Sequence, residues 1–211
     1  MTTRTAPAVH AGRRHLLLAG ALAGPFFFAS SITQALVREG FDITRHPLSL
    51  LATGDHGRLQ VLTFVLAGLG ALALAVGCRR VLADGIGRLA VPVLVAVFGA
   101  GLVVAGLFPM DPENGFPAGT PDGPVARMSW HSVVHSAAAA VAFTALAVAA
   151  IVLAVRCARE RRVRAAVLSG VAALVLVLPM SPEFMSIQIA VNGVVAFSWT
   201  TVVALSLRAA A

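Results

Sequence analysis

The 211-residue sequence predicts an all-α polytopic membrane protein of six transmembrane helices with both termini cytoplasmic. Three observations predict it. Hydrophobic residues make up 58% of the chain and charged residues only 12%, with a mean hydropathy of +0.89, a balance outside the range of soluble globular domains. The apolar residues gather into six long runs, most of them near or above the roughly 20 residues that a helix needs to cross a bilayer. All sixteen basic residues are arginine. Twelve fall before the first run, in the second and fourth connections and after the last run, against four in the odd-numbered connections. Cytoplasmic loops are enriched in basic residues, so this alternation sets the orientation as well as the number of spans.

The elements follow in order. Residues 1–14 are expected as a disordered cytoplasmic tail and residues 15–211 as a single six-helix domain. The first run, Leu16 to Val37, contains Pro25, a kink that neighbouring helices tolerate. Its basic start and small-residue end resemble a secretory leader, but five further runs favour an uncleaved helix. Runs two and three (Leu59 to Gly77, Leu89 to Phe108) and runs four and five (Trp130 to Val155, Ala165 to Leu178) are joined by short basic connections and are expected as helical hairpins. The sixth run is Phe184 to Leu207. Cys78 and Cys157 lie at the inner ends of runs two and four, where a reducing compartment keeps them as thiols. "FPMDPE" from Phe108 and "LPMSPE" from Leu178 close the third and fifth runs. The match predicts a parallel duplication of spans two and three as four and five, or else two helices sharing a proline-based terminator.

The net charge of +7 does not point to nucleic acid, because the arginines flank apolar spans without interleaved aromatics. They read as topology determinants that also meet lipid headgroups; the expected partner is the bilayer of the plasma membrane.

Function is expected in the two long outer loops, residues 38–58 and 109–127, whose proline, glycine, aspartate and histidine favour ordered turns. Polar residues concentrate at that depth. His131 and His135 are four apart at the start of the fourth run and share a helix face, a spacing that suits one metal ion or a proton-transfer pair. Asp111, just past the third run, and His46, before the second, are the candidates to complete the set, and three imidazoles with a carboxylate would make a zinc shell. The bland alternative is a pair of histidines that only tie helices together. Gln188 and Asn192 repeat the spacing on the last run, as an interhelical hydrogen bond or as a substrate-orienting pair beneath the histidines.

"HPLSLLATG" before a glycine-rich span, "GLFPMDPENGFPAGTP", and a tryptophan-histidine start to the next span together resemble the actinobacterial branch of the domain of unknown function 998 family. The resemblance covers nearly all of the chain after the tail. It implies a small six-helix integral membrane protein and passes on no catalytic residue. A more distant analogy is to the alkaline ceramidase and progestin-receptor-like hydrolases, in which zinc-bound water attacks lipid amides; those have seven spans, with the histidine pair on the last.

The most concrete enzyme expectation is therefore hydrolysis of a lipid-like substrate at the outer leaflet. His131, His135, Asp111 and His46 would hold a metal that activates water, and Ser49 would be an electrophilic helper. Two rivals stand beside it. One is a transporter or proton-coupled binding protein using the same groups, and the other is a membrane scaffold whose outer loops dock a partner.

Overall fold

The computed structural model describes residues 6–209, with side chains from residue 12. Among the described residues there are six helices: α1 (Ala6–Val37), α2 (Gly57–Val81), α3 (Ala90–Leu107), α4 (Trp130–Arg159), α5 (Val163–Val177) and α6 (Met185–Ala209). The described chain has no strand, only an isolated bridge between Glu113 and Phe116. Five segments are long and apolar enough to cross a membrane, namely Gly12–Val37, Gly57–Val81, Ala90–Leu107, Trp130–Arg159 and Pro182–Ala209; α5 is apolar but has only 15 residues. Of the expected tail, residues 1–5 lie outside the described residues. The helix α1 begins at Ala6, where alanines at positions 6, 8 and 11 are strong helix formers and Pro7 sits where a first turn accepts it.

The helices form a ring in chain order, each packed on the next, and α6 returns to α1; the α5–α6 contact is the thinnest seam. With no water to drive burial inside a bilayer, close approach depends on small residues. Gly68 of α2 and Gly99 of α3 illustrate it: a Cβ on Gly68 would stand 2.6 Å from the Gly99 carbonyl oxygen, and one on Gly99 2.8 Å from that of Gly68. The centre is aromatic. Phe27 stacks on Phe197 at 5.0 Å and meets Phe64 edge-on at 5.2 Å, while Phe98 closes on Phe197 at 5.8 Å.

Prolines leave helix carbonyls without donors, and neighbouring helices supply them. Pro25 has no N–H for the Ala21 carbonyl, and Thr201 Oγ1 of α6 donates to that oxygen at 3.1 Å. Pro109 likewise has none for Ala105, and His135 Nδ1 of α4 stands 2.7 Å from the Ala105 oxygen and 3.2 Å from that of Phe108. Two acceptors require that Nδ1 carries the proton.

Candidate functional site

The two long loops, residues 38–56 and 108–129, fold onto each other as a cap over one end of the bundle. Leu50, Leu51 and Phe116 form its small core, with Phe41, Leu48 and Met110 packed around them. The first loop is set by an Asp42–His46 turn, in which Thr44 N–H and hydroxyl both donate to the Asp42 carboxylate and hold its pKa below the ordinary carboxylate range. Across the cap, Arg45 pairs with Asp122, and the guanidinium likewise depresses that carboxyl. Arg38 donates to the carbonyls of Leu51 (2.6 Å) and Thr53 (2.9 Å) and lies 4.6 Å above the Phe116 ring. The first turn of α6 joins through Ser186, whose hydroxyl donates to the Ile43 carbonyl at 2.7 Å.

The expected zinc shell is not assembled: among the described residues no three His, Cys, Asp or Glu side chains come together as a metal-holding group. Three of the four expected ligands, His46, His135 and Asp111, are committed elsewhere. His46, 2% exposed, accepts from Asp42 N–H on Nδ1 at 2.9 Å, which leaves Nε2 to donate to the Asn114 carbonyl at 3.0 Å. Both ring nitrogens are used. His135 faces α3 as described, whereas His131 is exposed and stacks on Trp130 at 3.8 Å. The two histidines share a helix end but not an environment. The Asp111 carboxylate accepts from Ser129 N–H at 2.7 Å, and Ser129 Oγ in turn accepts from Ser132 N–H, so this acid helps to start α4 at Trp130, where the helix dipole favours negative charge. Ser49 Oγ donates to Met110 Sδ at 3.1 Å rather than to a base. Gln188 folds back on its own connection, accepting from Ser181 N–H at 2.6 Å and donating to the Pro179 carbonyl at 3.3 Å. Asn192 is buried in α6, one turn further along.

The most elaborate polar feature of the interior is one that the sequence analysis passed over. Between α1 and α2, directly beneath the cap, Ser30, Ser31, Gln34, Gln60 and Thr63 form a buried ladder. Ser30 and Thr63 hydroxyls meet at 2.6 Å, Gln60 Nε2 donates to Ser31 Oγ at 3.0 Å, and Gln34 Nε2 donates to Gln60 Oε1 at 2.7 Å. The Gln34 amide is oriented by that bond and by the Ser30 carbonyl, since both neighbours only accept. Its Oε1 is buried and has no donor. Gln34 also lines a cavity of about 510 Å³ under the cap rim, with Arg38, Glu39, Asp55, His56 and Pro117 around it. The available signal was modest: two glutamines inside apolar runs, one of them a turn after a serine pair.

A protein-family model described as "Protein of unknown function (DUF998)" matches residues 21–207. The chain belongs to that family. No curated protein and no solved structure matches it.

Proposed function

We propose that this member of the family crosses the plasma membrane six times with both termini in the cytoplasm, and binds a small polar solute bearing N–H donors beneath its extracellular cap. The arginine alternation supports the orientation. The hairpins α2–α3 and α4–α5 are taken as a parallel duplication, on the strength of their shared Pro-Met-x-Pro-Glu exit.

The observation that carries the binding reading is Gln34, 3% exposed, whose side-chain oxygen has no donor and which lines a cavity rimmed by charged groups. A buried acceptor left unpaired costs about 1–3 kcal/mol, and an amine or amide entering the cavity would remove that cost. Asp55 and Glu39 favour a cationic end, Arg38 and His56 an anionic one, so an amino-acid-like solute matches both. Hydrolysis is less well supported, since Ser49 donates to Met110 Sδ and, among the described residues, no set of three ligands comes together for a metal. Transport is disfavoured by the aromatic centre, where Phe27, Phe64 and Phe197 lie immediately below Thr63 and Ser30.

Thermal unfolding of the detergent-purified protein against a panel of amines, amides and amino acids tests the reading. A solute at about 100 times its Kd stabilises by about 2.7 kcal/mol. That shift is expected in the unaltered protein and lost in Gln34→Leu. A panel without effect, or a shift that survives Gln34→Leu, would overturn it.

A further inference from the structure

The opposite, arginine-rich end of the bundle holds a second cavity, of about 380 Å³, where the ring is thinnest between α5 and α6. Its walls are apolar, with Leu82, Leu153, Leu168 and Val202 among them, and Trp199 at its side is held by an Nε1–H donation to Ser169 Oγ at 3.1 Å. Leu168 and Val202 are about half exposed, at 57% and 48%. They make the mouth of the cavity continuous with the apolar outer surface of the helices.

The charged part of the lining is entirely cationic. Arg156, Arg162 and Arg164 contribute to it, and no acidic side chain does so among the described residues. The three arginines are not equivalent. Arg156 is only 14% exposed and is occupied, donating to the carbonyls of Asp84 (2.6 Å) and Ile86 (3.1 Å) and pairing with Glu160 at 2.8 Å, so it pins the α2–α3 connection to α4. Arg162 has a looser contact with Glu160, at 3.5 Å. Arg164 has no ion-pair or hydrogen-bond partner among the described residues. Both stand at the first turn of α5, whose N-terminus no side chain caps, and the unpaired N–H groups of such an end favour an anion in the same place.

We propose that this end binds an anionic phospholipid, with the phosphate against Arg162 and Arg164 and an acyl chain entering the cavity between α5 and α6. Each half of the ligand answers one feature. An apolar cavity open sideways takes a hydrocarbon chain. Guanidinium groups at its mouth bind phosphate with charge-assisted hydrogen bonds. The site is at the far end from the cap and does not depend on the solute reading.

Trp199 provides the probe, because the chain's other tryptophan, Trp130, is exposed and can be replaced. The Trp130→Phe protein is reconstituted in phosphatidylcholine vesicles carrying a minor fraction of brominated phosphatidylglycerol or, in parallel, of brominated phosphatidylcholine. Stronger quenching of Trp199 by the anionic lipid is expected. The preference should fall about fivefold for each arginine removed in Arg162→Gln and Arg164→Gln, and return when both are lysine. Equal quenching by the two lipids, or a preference that survives the double glutamine change, would overturn the proposal. Abolition of the preference by inorganic phosphate would overturn it too, in favour of a site for free phosphate. Native mass spectrometry gives a measurement free of substitutions: the unaltered protein should keep more phosphatidylglycerol than phosphatidylcholine from an equimolar mixture, and equal retention counts against the site.

Discussion

His135 replaces a donor that Pro109 cannot supply, and this substitution of one N–H by another is open to a double-mutant cycle. His135→Phe keeps the ring volume beside Phe64, 6.0 Å away, but leaves the Ala105 oxygen buried without its 2.7 Å partner. An unpaired buried acceptor costs about 1–3 kcal/mol, while hydrogen bonds inside membrane bundles average about 0.6 and reach about 1.7 kcal/mol in cycles. A loss of about 2 kcal/mol is therefore expected. Pro109→Ala restores a backbone N–H that lets α3 continue by one residue and bond Ala105 itself. In that background His135→Phe should cost about 1 kcal/mol less, because Ala105 regains a donor while Phe108 does not. Reversible unfolding by sodium dodecyl sulfate in mixed micelles reads both arms of the cycle. Additivity of the two changes to within about 0.3 kcal/mol would refute the donor-replacement argument. Thr201→Val should show the smaller version of the same effect, about 1 kcal/mol, at the Ala21 carbonyl opposite Pro25.

Cys78 and Cys157 are both buried, so they should stay silent toward an impermeant maleimide on intact cells, while Ala118→Cys in the cap reacts and Arg161→Cys does not; the reverse pattern for the two added thiols would invert the topology. Gly68→Ala should destabilise by about 1–3 kcal/mol, since its Cβ must displace the Gly99 backbone. Gly170→Ala, which meets nothing within 4 Å, should be neutral or gain up to about 1 kcal/mol from helix propensity; equal melting temperatures for the two variants would contradict the packing. The carboxyls of Asp42 and Asp122 are depressed in the folded cap. Their contribution is thus fully present above the unfolded carboxylate pKa and is lost as pH falls through the lower folded values. Proteolysis of the cap should accelerate only in that acid window, and Asp122→Asn should raise the rate at neutral pH.

Helix existence and type were legible because apolar runs and arginine clusters carry them directly. The fourth run, read from Trp130, starts where α4 starts. The candidate site was legible only as a location. His46, His131, His135 and Asp111 do gather at one end of the bundle, but grouping side chains by type treats other side chains as their natural partners. For His46, His135 and Asp111 the partners are backbone groups, the carbonyls of Ala105, Phe108 and Asn114 and the N–H groups of Asp42 and Ser129. Which backbone groups lack a partner is decided by where each helix stops and by how the loops close, and neither is written in residue type. Pro109 was the exception. Its missing N–H can be read from the sequence and names the Ala105 carbonyl as one that needs a donor, as Pro25 does for Ala21. Gln34 and Gln60 were overlooked for the opposite reason, since two amides inside long apolar runs barely alter their hydropathy.

The 15 residues of α5 reach about 22 Å along the helix axis, against a hydrocarbon thickness of about 30 Å. Under the six-span topology the bundle is therefore lopsided in height. Its α5 flank meets the bilayer with a hydrophobic deficit of about 8 Å, while the 30-residue α4 beside it has length to spare. Lipid along that flank must thin locally or draw Leu178 and Pro179 into the core. On that topology the α5 flank would favour thinner membrane, and an asymmetric collar of compressed lipid would give two such bundles a reason to meet along their short sides.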